Sequence, residues 1–200
     1  MAVDAYMAFQ TYDGKWLGFE SQTDLSKNGE PLMKEAPAFP TGTTAVGAIT
    51  TCKQYLELED YSFDIEQTLN IGSQSRGAGA GKITFNPFSI TRKIDVQSPT
   101  FFMMACSGTS FQLVQLGLRK SGGGDTAGVM FVRFDFKLVA VKTISWAHDD
   151  EAPKETITFE YGGLQVRYSQ QAAGGQMQPP TAGGWNRVSN TKDLGTAAIV

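Results

Sequence analysis

Apolar and polar residues alternate with a period of two along much of the chain. The clearest run covers Met130–Leu138, in which every even-numbered position is apolar. Charged residues stand between these positions at Arg133, Asp135 and Lys137. A period of two predicts a β-strand with one face buried and the other in water. We therefore expect these three charged side chains on a solvated face.

A second alternating run covers 154–168 and changes phase at Gly162-Gly163. A glycine pair at such a point predicts a sharp bend, as at the corner of a barrel or sandwich. In the first run the pattern blurs after Leu138, which predicts a bulge or a switch of burial. The first run continues to Trp146, so only the polar connection 147–153 separates it from the second. We therefore expect the two runs to pair as an antiparallel hairpin.

Shorter alternating runs predict further strands. They lie at 5–12, 61–69, 83–90 and 111–119. The first of them leads into the turn-forming pair Asp13-Gly14,. Pro87 interrupts the third, and because proline cannot donate a ladder hydrogen bond, this predicts a sheet edge or a bulge there.

One segment carries helix signals at both of its ends. Ser98 is a good N-cap, Pro99 suits the first helical position, and Gly108 suits the position after the last turn,. These signals predict a helix over 98–107. Cys106 lies in its apolar part, where a cysteine is ordinarily an inert buried thiol.

Three segments have the composition of loops. They are 21–46, which holds three prolines, the glycine- and serine-rich 71–81, and the glycine- and glutamine-rich 170–184. A tail over 186–200 ends the chain. Loops beyond about 12–15 residues ordinarily carry function or disorder. Together with the predicted strands and helix, these loops predict one mainly β domain over 1–200, with a barrel- or sandwich-like fold and one short α-helix.

The composition excludes several classes of protein. With 18% charged and 11% aromatic residues and a net charge of −3, the chain is neither disordered nor suited to non-specific nucleic-acid binding. Two cysteines and one histidine exclude a four-cysteine or multi-histidine metal site. The longest apolar run, 101–106, is far shorter than the ~20 residues of a membrane-spanning helix. We expect no nucleic acid, no membrane insertion, no metal and no cofactor.

No set of residues forms a recognisable catalytic site. The segment 76–83 resembles a phosphate-binding loop, but lacks its first glycine and the Ser or Thr after its lysine,. His148 precedes an acidic run in the predicted connection, where such residues are ordinarily solvated. An ordinary salt-bridging surface, rather than an anion site, is expected at Lys82, Arg92 and Lys93, because the chain is acidic overall and Asp95 is nearby. We therefore predict that the protein is not an enzyme and has no catalytic residues.

Open strand edges favour assembly over catalysis. A sheet with long edges aggregates unless something covers them. Copies of the same chain can do so, and a head-to-tail interface that closes on itself gives a ring. A monomeric β-sandwich module that binds a sugar or a peptide stays open as an alternative.

Five stretches resemble one protein family in their order and spacing. They are Tyr61–Gln67, Gly81–Asp95 with the following Ser98-Pro99, Phe134–Lys142, Thr158–Gly163 and Gly183–Arg187. The region from Tyr61 to Arg187 is thereby similar to the Hcp family, the tube proteins of bacterial type VI secretion. Residues 13–55 depart from the pattern of the more familiar members and form a longer region.

The resemblance implies a tail-tube-like β-barrel fold with one outer helix, assembled as a ring of six copies. In the family, rings stack into a tube inside a contractile sheath, and the tube is expelled with a spike at its tip. The implied partners are further copies of the chain, the sheath, spike and baseplate proteins, and small effectors carried in the lumen. A tail-tube protein of a phage-like contractile particle is a second alternative.

The N-terminus bears on localisation. It has neither the basic nor the apolar region of a secretory signal,. We expect assembly in the cytoplasm, and the resemblance implies export to the outside or into a target cell without a signal peptide.

Under this resemblance, Arg133, Asp135 and Lys137 become candidates for the lumen of the tube. A strand surface that faces outward is the alternative for these three residues.

Five further residues become candidates for contact between subunits. Leu32, Met33 and Phe39 in the long loop are candidates for contact between rings, with a mobile loop as the alternative. Trp185 and Arg187 are candidates to anchor the C-terminal tail on the body or on a neighbouring copy, because Trp and Arg are enriched at interface centres.

Overall fold

The computed structural model describes residues 3–20, 55–70, 79–120, 129–148, 152–172 and 178–192. These ranges contain ten strands and one helix. The strands are β1 (Val3–Gln10), β2 (Leu56–Glu57), β3 (Asp60–Ser62), β4 (Ile65–Asn70), β5 (Gly79–Phe85), β6 (Phe88–Lys93), β7 (Ser110–Lys120), β8 (Val129–His148), β9 (Pro153–Tyr168) and β10 (Thr181–Asn186). The helix α1 is Ser98–Ser107. The predicted mainly β fold with one short helix is confirmed.

Eight of the strands form one sheet that curls into a half-barrel. Its order is β2-β1-β7-β8-β9-β6-β3, and every neighbouring pair is antiparallel. β9 pairs with β8 along its length, with β6 over 154–159 and with β10 over 163–168. β4 and β5 form a separate two-stranded sheet.

The predicted hairpin of two long strands is confirmed as β8 and β9. The predicted switch of phase is confirmed too, and it lies where Leu138 has a φ of 51°. On β8, Phe136 and Val139 are both buried in the main core although three positions separate them. Opposite, a Cβ on Gly162 would lie 2.9 Å from Cδ2 of Leu138. Glycine is therefore favoured at this position, because an added side chain would press on the side chain of Leu138 in the paired strand,.

Aromatic side chains fill the main core between the sheet and α1. The ring of Phe9 is fully buried, and its centroid lies 5.0 Å from that of Phe101 in α1 and 5.1 Å from that of Phe111 in β7. A helix of ten residues is marginal alone, so this packing holds it. Within the described residues, no helix is long and apolar enough to cross a bilayer.

The bounds predicted for α1 are confirmed, but its N-cap is wrong. Gly108 has a φ of 68°, the left-handed conformation that ends many helices,. The N-cap is Gln97, whose side chain makes no capping hydrogen bond. The hydroxyl of Ser98 donates instead to Oε1 of Glu155 at 2.8 Å. The Ser98 hydroxyl, which the local sequence assigns to the helix cap, is therefore hydrogen-bonded to the buried carboxylate of Glu155 instead.

Three strand predictions are corrected. The run 61–69 is split between β3 and β4, which belong to different sheets. β5 begins at Gly79, inside the predicted loop 71–81. β10 occupies the end of the predicted loop 170–184 and the start of the predicted tail. β6 pairs with β9 only as far as Phe159, so the edge of β9 beyond it is free for β10. β10 pairs there through backbone hydrogen bonds, which need no particular side chains.

Candidate assembly surfaces

The charged residues predicted on a solvated face of β8 are mostly buried. Arg133 and Asp135 are fully buried, and Lys137 is half-buried. Nε of Arg133 lies 3.0 Å from Oδ1 of Asp135, and Nε of Arg167 lies 3.6 Å from Oδ2. The prediction of an open, wet surface at Arg133 and Asp135 is therefore wrong. The two arginines share the carboxylate of Asp135, and these ion pairs allow the face to be buried,.

The environment of Asp135 fits this interior position. Nε2 of Gln115 donates to its Oδ1 at 3.0 Å. Burial raises the pKa of Asp135, and Arg133 and Arg167 oppose that shift. A second apolar cluster, which contains Tyr6 and Tyr55, lies apart from the main core. The first half of β8 is thus buried on both faces.

A second buried charge pair joins β6 to β9 and α1. Nε of Arg92 lies 2.9 Å from Oε1 of Glu155, and the same guanidinium binds Asp95. Its charge also lies over the rings of Phe19 and Phe101, 5.6 and 5.2 Å from their centroids. The predicted pairing with Asp95 is confirmed, but its location at the surface is wrong because Arg92 is fully buried.

Hydroxyl side chains cover the opposite face of β3, β6, β9 and the second half of β8. Directly paired positions form two rows across the four strands. One row is Asp60, Thr91, Thr156 and Ser145, and the other is Ser62, Ser89, Thr158 and Thr143. In each row the side chains on β6 and β9 are hydrogen-bonded, at 2.9 Å for Ser89–Thr158 and 3.2 Å for Thr91–Thr156. We call these eight residues the hydroxyl face; all are exposed or half-buried.

A cluster of charges borders one end of the hydroxyl face. Nζ of Lys142 and Nη1 of Arg187 each lie 2.9 Å from a carboxylate oxygen of Glu160. These two cations, Lys142 first, lower the pKa of Glu160. Arg187 thus holds the segment after β10 on the body of its own chain. Its companion Trp185 packs against the main core.

The four strands under the hydroxyl face have two open edges within the described part of the chain. β7 stops pairing with β8 at Ala140, so residues 142–148 of β8 have a neighbouring strand on one side only. At the opposite edge, β3 ends the order of the sheet. Unpaired edges of this kind are templates for pairing with another chain.

Large apolar side chains are exposed beside the open edge of β8. Phe102 and Met103 on α1 are 46% and 60% exposed, and Trp146 on β8 is 53% exposed. The rings of Phe102 and Trp146 lie 6.2 Å apart. We call these three residues the aromatic edge patch. Cys106 follows on the same helix and is exposed, so the prediction of a buried thiol is wrong.

Several residues singled out from the sequence are not brought together. Leu32, Met33 and Phe39 lie outside the described residues, as do 76–78 of the glycine-rich segment. His148 lies exposed at the end of β8. Among the residues that the structure describes, no three His, Cys, Asp or Glu side chains could share a metal ion.

Comparison with known proteins gives this arrangement a family. The profile of the family described as "Type VI secretion system effector, Hcp" matches residues 48–168, which is more than half of the chain. Residues 48–168 include the two open edges and the hydroxyl face. The chain belongs to the Hcp family, as the resemblance of its sequence implied.

Solved structures show the same fold over nearly the whole chain. The structure of a type six secretion system protein has 20% identity, covers 95% of this chain and 99% of its own, and gives a TM-score of 0.69. Hcp1 from Salmonella typhimurium has 18% identity, coverage of 96% and 99%, and a TM-score of 0.61. A type VI secretion system effector from Yersinia pestis has 15% identity, coverage of 92% and 99%, and a TM-score of 0.59. No curated protein sequence matches the chain.

Proposed function

We propose that the chain is a structural subunit of the type VI tube, in which six copies form a ring and rings stack. One observation carries the proposal: the hydroxyl face lies between two open edges of the same four neighbouring strands, β8-β9-β6-β3. These four strands carry a continuous polar surface, but in the described part of the chain each of the two outer strands has a neighbouring strand on one side only. Further copies of the chain supply the missing neighbours.

The two open edges are compatible in strand direction. Neighbouring strands in this part of the sheet are antiparallel, so β3 and β8 run in opposite directions. The edge of β8 in one copy therefore continues the antiparallel pairing when it lies beside β3 of the next copy. A contact between two unlike edges is head-to-tail, and head-to-tail contacts close into rings.

The size of the ring sets the size of its channel. Six copies of a four-stranded sheet give about 24 strands, and barrels of 16–18 strands already enclose an aqueous channel. In this ring the hydroxyl face turns inward, while the main core and α1 turn outward. The hydroxyl face then takes the luminal role that the sequence suggested for Arg133, Asp135 and Lys137.

A lumen of hydroxyl groups suits hydrated protein cargo. Ser and Thr hydroxyls both donate and accept hydrogen bonds, so they retain water. Apart from Asp60, the hydroxyl face has no charge that would hold a protein in place. We propose that small effector proteins travel in this lumen, and that the subunit itself is structural rather than catalytic.

The remaining partners follow from membership of the Hcp family. We propose that the sheath surrounds the outer face, and that spike and baseplate proteins contact the ends of the tube. Assembly takes place in the cytoplasm, and the tube is then secreted. Leu32, Met33 and Phe39 stay candidates for contact between rings, and Trp185 and Arg187 stay candidates for contact with a neighbouring copy.

Sedimentation velocity and negative-stain electron microscopy of the purified chain test the ring. We expect a particle of about six chain masses with a central hole. A particle of one chain mass at micromolar concentration, without annular species on concentration, would contradict the proposal and favour a monomeric binding module.

The inward direction of the hydroxyl face is tested on the same particles. Thr158→Cys is labelled with a small gold cluster in a Cys52→Ser, Cys106→Ser background, and we expect density inside the ring. The matched control labels native Cys106 on α1 in a Cys52→Ser background, and we expect density at the periphery. The opposite distribution would turn the subunit around.

A further inference from the structure

A cleft lies beside β3, at the edge of the sheet opposite the aromatic edge patch. Its volume is about 620 Å³, within the range of about 300–1,000 Å³ that is typical of ligand pockets. Its lining combines four apolar residues, Phe19, Leu56, Leu58 and Ile94, with five charged ones, Glu20, Glu57, Glu59, Lys93 and Asp95. Leu58 is followed by Glu59 and then by β3 itself. We call this the edge cleft.

The aromatic edge patch and the edge cleft lie at the same level along the strands. Trp146 pairs with Glu155, and Glu155 pairs with Arg92. The next residue of β6, Lys93, lines the cleft. Glu59, which also lines it, donates its backbone N–H to a β6 carbonyl at 3.0 Å. Patch and cleft therefore mark the two opposite edges of one sheet at one height.

The chemistry of the patch suits the apolar part of the cleft, in which Ile94 is 42% exposed. Trp, Phe and Met are enriched at the cores of protein interfaces. The indole N–H of Trp146 already donates to Oε2 of Glu155 at 3.1 Å. The indole of Trp146 can thus be buried in a contact without leaving its N–H unpaired. Phe102 and Met103 add apolar surface beside it.

We propose that the aromatic edge patch of one copy docks into the edge cleft of the next copy. The inference rests on the proposed ring, since it is the pairing of β8 with a neighbouring β3 that brings the two surfaces together. Strand pairing gives direction and register but little specificity between edges, whereas a protruding patch in a cleft selects the correct partner edge. The occupant of the cleft is therefore a second copy of this chain.

Disulfide trapping between two different variants tests the contact. Both carry Cys52→Ser and Cys106→Ser; one adds Met103→Cys, and the other adds Glu57→Cys or Ile94→Cys. Two cleft positions are used because strands tilt when a barrel closes. After the variants are mixed, dissociated and reassembled, we expect a disulfide-linked dimer that contains one of each. The control replaces Met103→Cys by Val3→Cys, which is exposed on β1, and should give no such dimer.

The outcomes separate this inference from the proposed function. Rings that form without mixed dimers at either cleft position overturn the docking alone. A cleft cysteine that is blocked from thiol reagents even in dissociated subunits shows that the chain's own segment fills the cleft, and this also overturns it. The absence of any ring overturns both the docking and the proposed function.

The strength of the contact is measured with a charge in the patch. Met103→Glu should raise the midpoint concentration for ring dissociation at least tenfold, which corresponds to about 1.4 kcal/mol, because disrupting an interface hot spot costs more than this. Val3→Glu, at an exposed position of β1, is the matched control and should leave the midpoint unchanged. Circular dichroism of both variants establishes that the subunit is folded. Equal midpoints for the two variants would contradict the docking.

Discussion

The two halves of the β8–β9 hairpin carry similar alternating patterns but have opposite environments. In the first half, Arg133 and Asp135 occupy the polar positions, and both are fully buried. In the second half, Thr143 and Ser145 occupy them, and both are exposed on the hydroxyl face. The comparison teaches that a polar position in an alternating strand identifies a face, whereas the neighbouring strands decide whether water reaches that face.

The largest expected effect comes from a charge placed on the core side. Phe136 is fully buried among aromatic rings, so Phe136→Asp should abolish folding because burying an unpaired carboxylate costs several kcal/mol. Thr143→Asp, on the hydroxyl face of the same strand, should stay folded. Circular dichroism and soluble yield measure both. A Phe136→Asp variant with cooperative unfolding close to wild type would contradict the core assignment.

The two carboxylates in the two halves should differ next. Asp135→Ala removes the buried carboxylate that pairs with Arg133 and Arg167 and should lower the free energy of unfolding by about 3–5 kcal/mol. Glu160→Ala removes exposed pairs with Lys142 and Arg187 and should cost at most about 1 kcal/mol. Urea denaturation of each variant gives both values. Equal losses would mean that the burial of the first half does not determine the strength of its charge pairs.

The close contact between Gly162 and Leu138, where the two halves meet, is tested by adding a single methyl group. At Gly162 an added Cβ would meet Cδ2 of Leu138 at 2.9 Å and its Cβ at 3.1 Å. Gly162→Ala should therefore destabilise the fold by about 1–3 kcal/mol through overpacking. Gly183→Ala is the control, since nothing lies within 4 Å of its added Cβ. Thermal unfolding measures both, and a tolerated Gly162→Ala would show that the strands can separate there.

The smallest expected effect is a pH dependence in the second half. The folded state lowers the pKa of Glu160 below its ordinary value of 4.5. Glu160 therefore contributes stability above that ordinary pKa, and this contribution is lost as the pH falls through the lowered value. Its pairs are exposed, so the change should stay below about 1 kcal/mol. The loss of stability from pH 6 to pH 3 should be smaller in Glu160→Gln; an identical loss would exclude this residue.

Local patterns predicted the features that depend on neighbours in sequence. The hairpin, the phase switch at Gly162-Gly163 and the bounds of α1 are of this kind. The burial of Asp135 is not, because its partners Gln115 and Arg167 come from other strands. β10 was also missed, since its small residues are typical of loops and only the free edge of β9 makes it a strand.

The sequence contains the residues of the hydroxyl face but does not show that they lie side by side. Ser and Thr alternate at 89–91, 143–145 and 156–158, which is the signal that could have found it. A face arises only when the register places these segments side by side, and register depends on bulges such as the one between Val141 and Thr143. The loop candidates Leu32, Met33 and Phe39 stay predictions, and so do the roles of Trp185 and Arg187 between copies.

The difference between the edges of β3 and β8 has a consequence for the proposed ring. A ring joined through unlike edges keeps every copy in one orientation, so its upper and lower rims differ. A column built by placing upper rims on lower rims has a polarity, as an actin filament or a microtubule has. Its two ends are then chemically distinct, and a protein that caps the leading end cannot bind the trailing end in its place.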